Sequence, residues 1–215
     1  MPRFDLIIFD LDGTLIDSQY DLAAAVNYTR LLYDMPQISL EEVRAYIGDG
    51  IKALMEKALP GIGEPEMRIA AIKFRTYYGE NLLARTKLYP GVKQALETFS
   101  GFKKAILTNK PEAFTKTIIK NLGIEQYFDI VVGGDSGPKR KPDPGPLIDI
   151  SVKLNVPAAR ALMVGDGKND ILAAKAAGIK CAAVQYGYTD IAEIAALHPD
   201  YCIKNIAELS GILNL

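Results

Sequence analysis

The sequence predicts an α/β fold, a parallel sheet covered by helices on both faces, with an all-helical segment inserted after the first strand. Three observations carry this expectation. Short apolar runs recur at residues 6–9, 105–107, 130–132, 161–164 and 181–184. Helical patterns separate them. Residues 16–85 break the alternation, with helical patterns and no strand signal. Apolar runs bounded by Gly, Asp or Asn read as strands buried on both faces. Strands alternating with helices imply a parallel sheet.

The first run, LIIF, stops at Asp10. The helical stretch follows, with helices expected at about 21–33, 40–47, 51–59 and 66–83. Ser39-Leu40-Glu41-Glu42 has the form of a capping box that opens the second. Beyond residue 85 the alternation resumes. A helix is expected from Pro90, a residue suited to the first helical position, to about Phe99. The run at 105–107 precedes a helix that starts near Pro111 and stops before Gly123, a C-terminal cap. After the run at 130–132 comes a loop, residues 133–146, rich in Gly, Pro and Lys/Arg. Its length alone marks it as a functional candidate. The run at 161–164 leads to a helix over about 169–177 that Gly178 ends, and the run at 181–184 follows. The expected organisation is a core of residues 1–15 and 86–215 with a helical subdomain of residues 16–85.

A chain of 215 residues suffices for one domain with an insertion or for two small ones. Lys and Arg number 25 and Asp and Glu 26, so the net charge of −1 leaves no electrostatic footprint for nucleic acid or an anionic membrane. No apolar stretch approaches the roughly 20 residues that span a bilayer. The run near the start is broken by acids, so no secretory segment is expected. Cys181 and Cys202 are far apart and in no metal-ligand spacing. They read as two buried free thiols in a reducing compartment. A soluble cytoplasmic protein is expected, and its oligomeric state is left open.

Three predicted strands end in polar residues that can act together. The first ends at Asp10 with Asp12 two residues on, the second at Thr108-Asn109, and the third at Gly165-Asp166 with Asp170 one helical turn further. In a parallel sheet these carboxyl ends share one edge, where ligands bind. The basic loop Lys139-Arg140-Lys141 precedes the helix leading into the third strand and can overhang that edge. Clustered carboxylates cost free energy unless a cation or a proton relieves them. Asp10, Asp12, Asp166 and Asp170 offer only oxygen ligands, which suits Mg2+ completed by water and a substrate phosphate. An Asp10 oxygen could attack phosphorus, giving an aspartyl-phosphate. Asp12 could protonate the leaving oxygen and later deprotonate water. Thr108, Asn109 and Lys141 are donors for the transferring phosphoryl oxygens.

Other readings of these motifs fit less well. A calcium loop of the EF-hand type starting at Asp10 needs Gly at its sixth position, where Leu15 stands. No Gly-x-x-x-x-Gly-Lys-Ser/Thr run exists, so a Walker-type nucleotide site is unsupported. Asp12-Gly13 and Asp166-Gly167 could each be plain turns, but turns alone do not account for three strand-end clusters and a lysine loop in this order.

The ordered set Asp10-Leu11-Asp12-Gly13-Thr14-Leu15, Thr108-Asn109, Lys141-Pro142 and Gly165-Asp166 with Asp170 resembles the four motifs of the haloacid dehalogenase-like hydrolase superfamily. The likeness covers nearly the whole chain. It implies a Rossmann-like core with a helical cap inserted after the first strand. It also implies Asp10 as nucleophile, Asp12 as general acid and base, and Thr108 and Lys141 as phosphate ligands. Mg2+ would be held by Asp10, the Asp12 main-chain carbonyl and Asp166, with Asp170 supporting it through water. Within the superfamily, stretches such as LTNKPEAFT and ALMVGDGKNDILAAKAAGI are similar to phosphoglycolate phosphatases, although Gly167-Lys168 stands where those often carry Ser-Arg. That branch implies a small phosphorylated metabolite, 2-phosphoglycolate, as substrate. A sugar-phosphate mutase of the β-phosphoglucomutase kind and an inorganic pyrophosphatase are the alternatives on the same scaffold.

Substrate choice is expected to lie in the cap. Gly48, Asp49 and Gly50 form a helix junction able to reach over the site, and the next helix start offers amide donors to an anion such as a carboxylate. Arg44 and Lys52 are the nearby cations. If Gly48 merely ends a helix, both cations face water. Phe74, Tyr77 and Tyr78 fall at helical spacing and read as cap core, and His198, the sole histidine, as surface.

Overall fold

The computed structural model describes residues 4–215, so residues 1–3 of the expected core lie outside the described residues. In chain order the elements are β1 (Leu6–Phe9), β2 (Ile16–Asp17), α1 (Gln19–Leu31), α2 (Leu40–Tyr46), α3 (Ile51–Ala58), α4 (Glu64–Glu80), β3 (Lys87–Leu88), α5 (Val92–Thr98), β4 (Lys103–Leu107) and α6 (Glu112–Asn121). They continue as β5 (Ile130–Val132), α7 (Gly145–Lys153), β6 (Ala161–Gly165), α8 (Lys168–Ala177), β7 (Lys180–Val184), α9 (Ile191–Ala196), β8 (Tyr201–Ile203) and α10 (Leu209–Leu213).

Six strands form one sheet in the order β5-β4-β1-β6-β7-β8, and every pairing in it is parallel. All of β1 is buried. Its side chains alternate between two apolar layers, as strand geometry requires. Ile7 and Phe9 join Ile118 and Ile119 of α6 on one face, and Leu6 and Ile8 join Ile150 of α7 and Ile171 of α8 on the other. The chain winds from β1 through β4 to β5, then crosses back to β6 on the other side of β1. That reversal opens the crevice in which ligands bind in sheets of this kind.

Helices α1–α4 lie between β2 and β3, which pair antiparallel as Ile16↔Leu88 and Asp17↔Lys87. The expectation of no strand within residues 16–85 is corrected by β2, because two paired residues are too few to carry a periodicity. Asp21, buried in the first turn of α1, ties the ribbon down. Its carboxylate accepts the main-chain N–H groups of Arg85 and Thr86 and the Thr86 hydroxyl at 2.7 to 3.0 Å. Val43, Met55, Phe74 and Tyr78 of the insertion belong to the same continuous apolar cluster as Ile7 and Phe9, so the helical layer packs onto the sheet layer. The capping box at Ser39 and Glu42 forms as expected.

Helix α5 starts at Val92 rather than Pro90, because Gly91 takes a left-handed conformation (φ 80°) just before it. Cys181 is buried in β7, whereas Cys202 on the edge strand β8 is exposed. The expectation of two buried thiols therefore holds for one of them. No helix among the described residues is long and apolar enough to cross a membrane.

Candidate active site

Parallel register brings distant segments together. Phe9 pairs with Ile106 on one side and Val164 on the other, so Asp10, Thr108 and Asp166 leave three adjacent strands at the same edge. The Asp10 N–H continues the ladder to the Val164 carbonyl at 2.8 Å. Carboxylate oxygens of Asp10, Asp166 and Asp170 lie within 4.8 Å of one another. Lys141 enters from the loop before α7 and donates to Asp10 Oδ1 at 2.7 Å and Asp170 Oδ1 at 2.6 Å, its side chain only 2% exposed.

Glycines make room for this crowding. A Cβ on Gly13, or on Gly187, would fall 2.2 Å from atoms of Asp166, and one on Gly165 would fall 2.2 Å from Asp170. In that cradle Asp166 accepts the Thr14 hydroxyl at 3.3 Å and the Tyr188 N–H at 2.7 Å. Asp170 Oδ2 accepts the Gly167 N–H at the start of α8 at 3.0 Å.

Burial, reinforced by the charges of Asp10 and Asp170, pushes the Asp166 carboxyl up to about 8. Burial likewise raises Asp10 to about 6, although Lys141 pulls it down. For Lys141, burial opposes the charge, but Asp10 and Asp170 outweigh it and hold the ammonium above the usual lysine range. Acids thus outnumber the buried lysines, and the excess is stored as raised carboxyl pKa values. An all-oxygen cluster with unrelieved negative charge fits a hard divalent cation.

Asp12 sits beside this cluster. Its carboxylate accepts the Ser18 hydroxyl at 2.5 Å and the Lys110 ammonium at 2.9 Å on each oxygen. Ser18 is fixed in turn by its main-chain N–H, which donates to the Tyr188 hydroxyl at 2.8 Å. The sequence reading does not single out Lys110. Here it is buried; burial opposes its charge, yet Asp12 and then Tyr78 hold it above the usual lysine range.

Thr108 is buried and its hydroxyl accepts the Lys110 N–H at 3.2 Å. The Asn109 amide clips two loops together, donating to the carbonyls of Gly48 at 2.8 Å and Lys141 at 2.9 Å.

A cavity of about 210 Å³ separates these residues from the insertion, which contributes Leu22, Leu54, Phe74, Tyr78 and the junction Gly48-Asp49-Gly50. The Gly48 carbonyl also accepts from Asn169 at 3.2 Å, and Asp49 accepts from Asn169 at 2.9 Å and Lys57 at 2.8 Å. Burial would raise the Asp49 carboxyl, but these donors hold it below the usual range.

Two expected cations do not reach the cavity. Arg44 donates to the Gly187 carbonyl at 3.3 Å and faces the Tyr188 ring, bracing the core loop that positions Asp166. Lys52 is 70% exposed and pairs with Glu56 at 3.7 Å. His198 is exposed and apart from the lining.

A doubly wound parallel sheet with this acid–lysine cluster at its switch point, under a helical insertion, defines a class of hydrolase. The chain belongs to the haloacid dehalogenase-like hydrolases, whose family model matches residues 7–184. It is 40% identical to phosphoglycolate phosphatase 1 of Pseudomonas aeruginosa over 97% of its own length and 79% of that protein. It is 38% identical to a phosphoglycolate phosphatase of Haemophilus influenzae over 98% of its length and 99% of that protein. Among solved structures, a predicted phosphoglycolate phosphatase from Haemophilus somnus superposes with TM-score 0.94 at 36% identity, covering 99% of each chain.

Proposed function

We propose that the chain is a Mg2+-dependent phosphatase that hydrolyses 2-phosphoglycolate through an aspartyl-phosphate on Asp10. The observation that carries this reading is the buried cluster of Asp10, Lys141, Asp166 and Asp170 with Asp12 beside it. The substrate is supported by the curated relatives named phosphoglycolate phosphatase. Reduced thiols and the absence of a membrane-spanning helix among the described residues accord with a cytoplasmic enzyme acting on a small metabolite.

Asp10, Asp166 and the Asp12 main-chain carbonyl would hold Mg2+, with Asp170 supporting it through water. Bound there, the cation would neutralise charge on the phosphoryl oxygens and cancel the repulsion among the acids. Asp10 attacks phosphorus as the ester P–O bond breaks, and the Asp12 carboxyl gives its proton to the departing glycolate oxygen. Asp12, now a carboxylate, takes a proton from water as the water oxygen attacks phosphorus and the bond to Asp10 breaks, releasing phosphate. Lys141 and Thr108 donate to phosphoryl oxygens during both transfers. Ser18 and Lys110 keep Asp12 in one orientation throughout.

The test is phosphate release from a panel of small phosphate esters with and without Mg2+. 2-Phosphoglycolate is expected to be turned over fastest, and Asp10→Asn to lose at least ~10³-fold in kcat. Poor turnover of 2-phosphoglycolate beside rapid turnover of another ester would reject the substrate. Unchanged activity of Asp10→Asn would reject the nucleophile.

A further inference from the structure

We infer that Lys110 and Tyr78 form the subsite that recognises a carboxylate carried on the ester carbon of the substrate, an inference that rests on the phosphatase reading above. Lys110 comes from the core and Tyr78 from α4 of the insertion, and both line the same cavity. The Lys110 side chain is 4% exposed. An ammonium has three N–H donors. The ammonium lies 2.9 Å from each oxygen of Asp12 and also faces the Tyr78 hydroxyl. The Tyr78 ring lies 4.8 Å from this ammonium, and its hydroxyl is buried without a hydrogen-bond partner. A buried hydroxyl with no acceptor for its proton, beside a buried ammonium, is costly unless a ligand supplies one.

The chemistry of the missing acceptor follows from the pair. A cation beside a neutral donor calls for an anion with two oxygens, which a carboxylate provides. Position narrows it further. Asp12 must touch the leaving oxygen to protonate it, and Lys110 touches Asp12. A carboxylate on the ester carbon is two bonds from that oxygen, within reach of the same ammonium. Lys141, the other buried lysine of the cavity, is committed to Asp10 and Asp170. Because Tyr78 belongs to the insertion, the subsite is complete only with the insertion seated on the core.

The test compares 2-phosphoglycolate with ethyl phosphate, the same ester with a methyl in place of the carboxylate, using the full chain with Mg2+. The ratio of the two kcat/KM values, read on one sample, is independent of the fraction folded. The unsubstituted enzyme is expected to favour 2-phosphoglycolate strongly. Lys110→Met should cut that ratio by about 30-fold or more, since it strands a buried anion. Tyr78→Phe should cut it about 5-fold, the worth of one hydrogen bond. A Lys110 that served only to orient Asp12 would lower both esters alike. Ratios within twofold of the unsubstituted enzyme in both variants would therefore overturn the subsite while leaving the phosphatase reading intact. If Lys110→Met is inactive on both esters, the Tyr78→Phe ratio decides alone. No preference for 2-phosphoglycolate in the unsubstituted enzyme would overturn the substrate reading and the subsite together.

Discussion

Gly187→Ala tests whether the position of Asp166 matters as a metal ligand does. A Cβ at residue 187 falls 2.2 Å from Asp166 Cβ and 2.4 Å from its Oδ2. Ordinary contact lies near 3.5 Å, so Asp166 must retreat by roughly 1 Å. The hydrogen bond it accepts from the next residue, the Tyr188 N–H at 2.7 Å, is strained by the same movement. The φ of Gly187 lies outside the left-handed region, so the steric push is the whole effect. Displacing one ligand on this scale costs about 10- to 100-fold in apparent Mg2+ affinity. Misplacing the site by that distance costs about 10²-fold in rate. Overpacking should lower stability by about 1–3 kcal/mol. Phosphate release titrated against Mg2+ reads the affinity, and the thermal shift produced by Mg2+ reads it independently of turnover. Gly211→Ala is the control, since a Cβ there meets nothing within 4 Å. A half-saturating Mg2+ concentration within twofold of the parent, with kcat unchanged, would refute the reasoning.

Two further expectations concern stability. Asp21→Ala leaves the part-buried N–H of Arg85 and the buried donors of Thr86 without their acceptor. It should cost about 2–4 kcal/mol in urea unfolding, and an unshifted midpoint would contradict the role of Asp21 in closing the ribbon. In the metal-free protein, Asp166 near 8 and Asp10 near 6, against an ordinary value of 3.8, mean that the folded state binds more protons than the unfolded chain. Their stabilising contribution is full below pH ~4 and declines as pH rises toward ~8. Metal-free melts should show that decline, saturating Mg2+ should suppress it, and Asp166→Asn should flatten it; a decline that Asp166→Asn left untouched would contradict the assignment.

The sheet was legible because a fully apolar run ending in a polar residue has one natural place in an α/β protein, a buried strand with its carboxyl end at the working edge. Leu6–Phe9 and Ile130–Val132 match their observed bounds. The edge strand β8 was missed, because Tyr201–Ile203 is short and has one exposed position. The acids were legible through their spacing, but not the crevice between β1 and β6, which depends on strand order. Lys52 was misplaced by proximity in sequence. Helix α3 buries Ile51, Leu54, Met55 and Ala58, a single face at helical spacing, which turns Lys52 and Glu56 outward. Lys110 was invisible for the opposite reason. It lies beside Tyr78, which comes from α4 of the insertion, and no local pattern encodes that meeting. Tyr78 reads correctly as apolar core, yet it also lines the cavity.

The central claim is that a carboxylate oxygen of Asp10 takes up phosphorus beside a divalent cation. A crystal structure of the complex with Mg2+ and beryllium fluoride tests it most directly, because the fluoride mimics a phosphoryl group joined to a carboxylate. Beryllium should be bonded to Asp10, with Mg2+ on Asp10 and Asp166 and with Lys141 and Thr108 donating to the fluorines. Beryllium bound to another carboxylate, or Mg2+ held away from Asp166, would contradict it.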